Sequence, residues 1–159
     1  MPTRDQFDAT DIRLLAALVE RPRATAVVLA EMTGMSRNTV QSRLTRLDEL
    51  GLLESFERRI SPKALGYPLT AFVRTTVTQN RLDEVAGTLA EIPEVLQVQG
   101  ISGRDDLHVH VVAVDADDLY RIAGRILAVP GVERTETALV MRELVNYRIT
   151  PLLERGDTR

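Results

Sequence analysis

Side chains that can hydrogen-bond to base edges recur along one short stretch of the chain, residues 36–47. On a helix the amides and hydroxyls of this stretch lie on one face and its flank: Asn38, Gln41, Ser42 and Thr45. The stretch also has three arginines and no acid before residue 47: Arg37, Arg43 and Arg46. A polar face with basic edges is what a major-groove reader requires. We therefore predict base contacts by the first set and phosphate contacts by the arginines, with Thr39 included in the interface.

The elements that would position this face form a helix-turn-helix over Thr25–Leu50. Thr25 and Ser36 are favourable N-caps, and Gly34 lies where the first helix must end. Apolar residues recur at helical spacing on the second helix, forming one stripe: Val40, Leu44, Leu47 and Leu50. The alternative is an amphipathic helix pair whose polar face is only solvated.

Further elements flank this motif. Asp8 or Thr10 can cap a helix over Asp11–Glu20, which we expect to pack behind the helix pair. Weak alternation over Leu52–Ile60 predicts a small β-ribbon, the wing of a winged helix-turn-helix. The arginines at its tip, Arg58 and Arg59, either contact phosphate or are simply solvated.

Composition restricts the class of protein. The chain has 159 residues, no cysteine and a net charge of −3. Residues 1–66 carry ten basic and nine acidic side chains, whereas residues 67–159 carry ten basic and fourteen acidic ones. With so small a basic excess, one copy should bind DNA weakly, so several copies are expected to act together.

No secretion signal or membrane-spanning run is recognisable, which predicts a cytoplasmic protein.

The second half contains an internal repeat. Residues 82–95 align with residues 119–132, with Leu, Ala-Gly, Pro and Val at equivalent places. Each copy predicts an amphipathic helix that ends at a proline. Two prolines and a glycine make residues 61–69 a linker. We therefore predict a DNA-binding domain over residues 1–60 and a second domain over residues 70–159.

β-branched strands surround both repeats, at Ala71–Thr78, Leu96–Ser102, Leu107–Val114 and Glu133–Met141. The order β-α-β-β-α-β predicts a ferredoxin-like sandwich with both helices on one face of an antiparallel sheet. The fold class is thus α+β. Apolar strand residues, namely Phe72, Val109 and Val111, suggest that the uncovered face pairs with a second copy in a homodimer.

Two clusters in this half are candidate sites. The loop over residues 101–107 has the composition of a hairpin turn, but its carboxylates, arginine and backbone amides could also hold a zwitterion. His108 and His110 share one side of a strand and could bind a metal or line an interface, although no third ligand follows. We find no catalytic motif and expect no enzyme, no metal site and no cofactor.

Taken together, these motifs resemble the Lrp/AsnC, or feast/famine, transcriptional regulators over nearly the whole chain. The resemblance is carried by residues 7–15, 23–51, 130–132 and 135–137, and by Gly103-Arg104-Asp105-Asp106, which is similar to the family's Gly-x-x-Asp turn. Two residues depart from the family's pattern. Phe7 stands where the family usually has an aliphatic residue, and Asp105 stands where many relatives carry a neutral or aromatic residue.

The resemblance implies dimers that assemble into tetramers or octamers and bind an amino acid near that turn. It makes Gly103 and Asp106 the foremost effector-site residues, followed by Arg104, Asp105, Thr135 and Thr137. We therefore predict a sequence-specific regulator of double-stranded DNA whose assembly or affinity responds to a small molecule, with an amino acid as the expected effector. The alternative is a small-molecule-binding or enzymatic ferredoxin-like dimer in which the helix-turn-helix is only an interaction element.

Overall fold

The computed structural model describes residues 7–55 and 59–154. Their contacts divide into two compact units. Residues 7–55 and 145–154 belong to the first unit, and residues 59–144 belong to the second. The predicted second domain extends to residue 159, whereas residues 145–154 group with the first unit.

The first unit is helical. Its helices are α1 (Ala9–Glu20), α2 (Ala26–Thr33), α3 (Arg37–Glu49) and, at the end of the chain, α6 (Thr150–Glu154). They enclose a small core of fully or nearly fully buried side chains: Leu14, Ala17, Leu29, Val40 and Leu47. The apolar stripe predicted on the second helix of the motif therefore supplies much of this core.

The β-ribbon predicted over residues 52–60 is not present in its described part. Leu52–Ser55 and Arg59–Ile60 belong to no strand, and residues 56–58 lie outside the described ranges. Leu52 and Leu53 are consecutive, yet both pack against the helical core. Two neighbouring residues on the same apolar surface are incompatible with the alternation that a half-buried strand requires.

The second unit is a four-stranded antiparallel sheet with two helices. Its elements are β1 (Leu69–Val77), α4 (Leu82–Ala90), β2 (Val95–Gly100), β3 (Leu107–Ala113), α5 (Ala116–Leu127) and β4 (Val132–Leu139). The strands lie in the order β2-β3-β1-β4. The predicted α+β fold, with its β-α-β-β-α-β order, is confirmed, and the 37-residue repeat corresponds to α4 and α5 with their flanking turns.

One face of this sheet is covered by both helices. Val85 and Leu89 of α4 and Ile122 and Ile126 of α5 are fully buried in its core. The prediction for the uncovered face was partly wrong. Val109 and Val111 belong to the helix-covered core, because strand residues alternate between the two faces. Phe72, which pairs with His110 across the sheet, lies on the open face.

Across residues 7–55 and 59–154, none of the helices is both long and apolar enough to span a bilayer.

Candidate nucleic-acid interface

The turn between α2 and α3 is stabilised by short-range contacts. Thr25 Oγ1 accepts a hydrogen bond from the Val28 N–H at 3.4 Å, and Ser36 Oγ accepts one from the Thr39 N–H at 3.1 Å. Gly34, between the helices, has φ of +71°. A side chain is strained in that left-handed conformation, which glycine adopts freely. These three features confirm the predicted helix-turn-helix.

Helix α3 separates an apolar face from a polar one. Val40 and Leu47 are fully buried. The predicted DNA-contacting residues of the opposite face are all exposed: Arg37, Asn38, Thr39, Gln41, Ser42 and Thr45. The structure therefore brings these six residues together on one accessible helix surface.

The exposed polar residues differ in how far they are engaged within the protein. Thr39 Oγ1 lies 2.8 Å from Ser36 Oγ, and Thr45 Oγ1 donates to the Gln41 carbonyl at 3.1 Å. Within the part of the chain that the structure describes, no hydrogen bond engages the side-chain amide of Asn38 or Gln41. These two amides can bind an external partner without breaking an internal contact.

Arg43 and Arg46, which are predicted to bind phosphates, contact the start of α1 within the protein. One Arg43 guanidinium nitrogen donates to both carboxylate oxygens of Asp8, at 2.9 and 2.8 Å, and to Asp11 at 2.7 Å. Arg46 donates to the other Asp11 oxygen at 2.5 Å. The Asp11 side chain is 0% exposed, whereas those of Arg43 and Arg46 are 24% and 43% exposed. The charge of both guanidinium groups is therefore partly neutralised by carboxylates within the protein.

Asp8 and Asp11 also form the capping box of α1. The Asp8 side chain accepts from the Asp11 N–H at 2.8 Å, and the Asp11 side chain accepts from the Asp8 N–H at 3.1 Å. Burial alone would raise the pKa of both carboxyl groups, but their hydrogen bonds outweigh it. For Asp11 these bonds come chiefly from Arg46 and Arg43, and its pKa is held below the usual value. Both groups are consequently ionised at neutral pH.

An open, shallow depression joins the ion pairs to the exposed polar face. It is lined by residues from both: Phe7, Asp8, Asn38, Thr39, Ser42, Arg43 and Arg46. The acid–arginine network thus borders the surface predicted to read DNA.

The remaining predicted DNA contacts lie after α3. Arg59 is exposed in a short helical turn, and Arg58 lies outside the described residues.

Four of the predicted effector residues, 103–106, lie in the loop between β2 and β3. Two of their carboxylates hold the loop to the sheet. Asp105 is buried and accepts hydrogen bonds from Arg134 at 2.8 Å and from Thr76 Oγ1 at 3.4 Å. The Asp106 carboxylate accepts from the Val77 N–H at 2.9 Å. Gly103, with φ of +125°, and Arg104 form the exposed tip of the loop. This geometry is that of a turn anchored at its base.

The structure does not bring the predicted threonines to the Asp105 side of the sheet. Thr135 pairs with Thr75, which is buried under the helices, and Thr137 lies two residues further along the same strand. Arg134, the partner of Asp105, points to the opposite face because strand side chains alternate. Within one chain, the two sets of predicted effector residues therefore lie on different faces.

His108 and His110 flank an aromatic ring on the open face of the sheet. Their rings lie 4.6 and 4.9 Å from the ring of Phe72, centroid to centroid. Burial, and to a lesser extent the neighbouring His108, lowers the pKa of His110. Among the described residues, no three His, Cys, Asp or Glu side chains form a cluster suited to a metal ion. The pair is thus part of an aromatic surface.

Sequence reasoning missed Asp11 as a functional candidate. The sequence pattern shows Asp11 only as the first residue of a helix, and it shows Arg43 and Arg46 only as candidates for phosphate contacts. One usable indication was present, since an acid three residues after an N-cap acid is the spacing of a capping box. The contact with α3, 32 to 35 residues away in the chain, was not readable from local spacing.

Two family models match the chain. The model described as the AsnC-type helix-turn-helix domain covers residues 7–48, and the one described as the Lrp/AsnC ligand binding domain covers residues 70–150. The two matches coincide with the helix-turn-helix and with the sheet-and-helix unit described above.

Curated relatives agree with these matches. The HTH-type transcriptional regulator FL11 of Pyrococcus horikoshii is 30% identical and covers 87% of this chain and 92% of its own. The HTH-type transcriptional regulator AldR of Mycolicibacterium smegmatis is 33% identical, with coverage of 87% and 83%.

Solved structures give the same fold. Escherichia coli AsnC superposes with a TM-score of 0.81 at 23% identity, over 91% of this chain and 99% of that one. The feast or famine regulatory protein of Mycobacterium tuberculosis, complexed with L-methionine, gives a TM-score of 0.80 at 30% identity, with coverage of 89% and 97%.

Proposed function

The chain belongs to the Lrp/AsnC family of transcriptional regulators, and on that premise we propose that it is a sequence-specific regulator that reads its operator with α3. The observation that carries this proposal is the exposed polar face of that helix, presented by a capped turn and a buried apolar stripe. A helix of this kind fits the major groove, where each base pair displays a distinct set of donors and acceptors.

The residues of this face have two proposed tasks. Asn38, Gln41, Ser42 and Thr45 contact base edges, and the amides contribute most because each can bind adenine through two hydrogen bonds. Phosphates are contacted by Arg37, with Thr39, Arg58 and Arg59 at the margins. The ion pairs to α1 leave Arg43 and Arg46 only partly available for phosphates, so their share of DNA binding is smaller than the sequence alone predicts.

We further propose that the protein works as a homodimer formed through the open face of the sheet, and that dimers assemble into tetramers or octamers. Phe72 lies on that face, with the His108 ring stacked on its ring and the His110 ring tilted against it. A second copy packed there would remove apolar surface from water and supply a second recognition helix. A two-fold dimer would then bind two half-sites related by the same symmetry. Because its proposed partner is chromosomal DNA, we place the protein in the cytoplasm.

The effector that we propose is an amino acid. The mycobacterial relative and a transcriptional regulator of Neisseria meningitidis are both solved in complex with L-methionine. In this chain the exposed loop tip at Gly103 and Arg104 offers backbone amides and a guanidinium group to a carboxylate, and Asp106 below it offers a carboxylate oxygen to an ammonium, whereas Asp105 is already bound by Arg134. Since Thr135 and Thr137 lie on the other face, a site using all six residues needs a second chain, which fits binding between subunits.

Selection from a pool of random DNA duplexes tests the regulator proposal and identifies the operator in the same experiment. We expect enrichment of a motif with two-fold symmetry, and binding to it that weakens as salt is raised. Failure to enrich any sequence, with the protein folded, would contradict a sequence-specific role.

The mass of the particle in solution, measured with each of the twenty amino acids in turn, tests the effector proposal. A mass that changes with one amino acid supports assembly controlled by that ligand. If no amino acid alters the mass or the DNA affinity, residues 103–106 are a turn and the effector proposal fails.

A further inference from the structure

The acidic start of α1 is joined to the recognition helix by four hydrogen bonds between side chains. Arg43 bridges Asp8 and Asp11, and Arg46 binds the remaining Asp11 oxygen. Asp11 is fully buried, so its charge is separated from water and depends on these two arginines. The contact is therefore a fixed junction rather than an ion pair in solvent.

Besides its contribution to stability, this junction constrains one helix in particular. Helices α1, α2 and α3 already share an apolar core that includes Leu14, Leu29 and Val40. Burying a carboxylate beside that core is unfavourable unless each lone pair is satisfied. The two arginines come from the one helix whose exposed face is proposed to read DNA. The buried acid thus acts on the orientation of that helix in particular.

The two arginines of the junction are direct neighbours in sequence of residues on the exposed polar face of α3. Arg43 directly follows Ser42, and Arg46 directly follows Thr45. Fixing both guanidinium groups against α1 fixes the rotation of α3 about its own axis, and with it the direction of the neighbouring polar side chains. The same ion pairs make two positive charges less available to DNA phosphates. Because DNA of any sequence offers the same phosphates, this reduces binding that does not depend on sequence.

We propose that Asp11, assisted by Asp8, is a positioning residue for sequence recognition. By binding Arg43 and Arg46 it holds α3 in one orientation and limits binding to DNA of unrelated sequence. This inference rests on the proposed function and names an acidic residue, outside the helix-turn-helix, that determines specificity.

The test compares three variants that each remove one negative charge: Asp11→Asn, Asp8→Asn and the control Asp48→Asn. Asp48 lies on α3, is exposed, and within the described residues its side chain makes no hydrogen bond or ion pair. Affinity is measured for the selected duplex and for a scrambled one over a range of salt concentrations. Because all three variants gain the same net charge, a general electrostatic effect must appear in all of them.

We expect Asp11→Asn to lower the ratio of specific to scrambled affinity by about tenfold or more. Scrambled DNA should bind at least as tightly as to the unmodified protein, with a salt slope steeper by about one for each arginine released onto phosphate. Asp48→Asn should leave the ratio within about twofold. A purely structural role would weaken both duplexes alike and leave the slope unchanged.

Asp8→Asn keeps the inference testable if Asp11→Asn fails to fold. Asparagine caps a helix as well as aspartate does, so this change removes the charge opposite Arg43 while retaining the cap. We expect a smaller loss of specificity in the same direction.

Equal specificity ratios for the folded acidic variants and the Asp48 control would overturn the inference. If the unmodified protein itself does not discriminate between the two duplexes, the proposed function fails instead.

Discussion

Truncating one amide on the recognition helix should separate sequence recognition from simple attraction to DNA. Asn38 is exposed and, among the described residues, its side-chain amide makes no internal hydrogen bond. Replacing it by alanine should therefore change the free energy of unfolding little. One bidentate amide–adenine contact contributes about 1–3 kcal/mol to base discrimination. A two-fold dimer uses the residue twice, so Asn38→Ala should cost about 2–6 kcal/mol on the operator, or about 30-fold in affinity at the least.

The assay is a titration of labelled operator and scrambled duplexes with Asn38→Ala and with a matched control, Asn80→Ala. Asn80 is an exposed amide in the second unit. The control should bind both duplexes as the unmodified protein does. Asn38→Ala should bind the scrambled duplex almost normally, because phosphate contacts are retained. Equal losses on the two duplexes would refute the assignment of Asn38 to base reading.

Three further predictions concern the framework of the interface. Leu47→Ala, at a fully buried position, should lower the free energy of unfolding by about 2–5 kcal/mol. Leu44→Ala, at a half-buried position, should lower it by clearly less. Thermal unfolding followed by circular dichroism measures both changes. The pKa of Asp11 is lower in the folded state than in the unfolded state, so its ionised carboxylate stabilises the fold above the unfolded pKa. This stabilisation is lost as pH falls below about 4, where the carboxylate becomes protonated. Because Asp11→Asn has no carboxylate to protonate, its melting temperature should fall less between about pH 6 and pH 3 than that of the unmodified protein. Phe72→Glu should lower the particle mass seen by light scattering, whereas Tyr120→Glu, at an exposed position of α5, should leave it unchanged. An unchanged mass for Phe72→Glu would exclude the open sheet face as the dimer contact.

Local patterns were sufficient to predict the helix-turn-helix. Its caps at Thr25 and Ser36 and its glycine turn at Gly34 depend on interactions between residues three or four apart, which sequence spacing shows directly. The 37-residue repeat likewise predicted the α4 and α5 units, because each repeat encodes one complete supersecondary motif. These are short-range features, and the structure confirms them.

Features that depend on residues far apart in the chain were not predictable in the same way. The faces of Val109 and Val111 follow from strand register, and a shift of one residue exchanges the two faces of a strand. The partners of Arg43 and Arg46 lie more than thirty residues upstream, and the helix-turn-helix pattern contains no information about them. The separation of Thr135 and Thr137 from Asp105 also appears only when strand alternation is combined with the observed pairing.

The internal ion pairs change how the charge of the DNA-binding face should be counted. Two of the three arginines of α3 are balanced by Asp8 and Asp11, which leaves Arg37 as the arginine of that helix outside the network. Because each phosphate contact contributes about 0.9 to the salt slope, one copy with so few contacts should bind DNA with a shallow slope and a weak affinity. Under the proposed function, operator affinity would then come chiefly from the amides of α3 and from the number of copies bound together. An effector that changes assembly would therefore control DNA occupancy directly, with no need to alter the recognition helix itself.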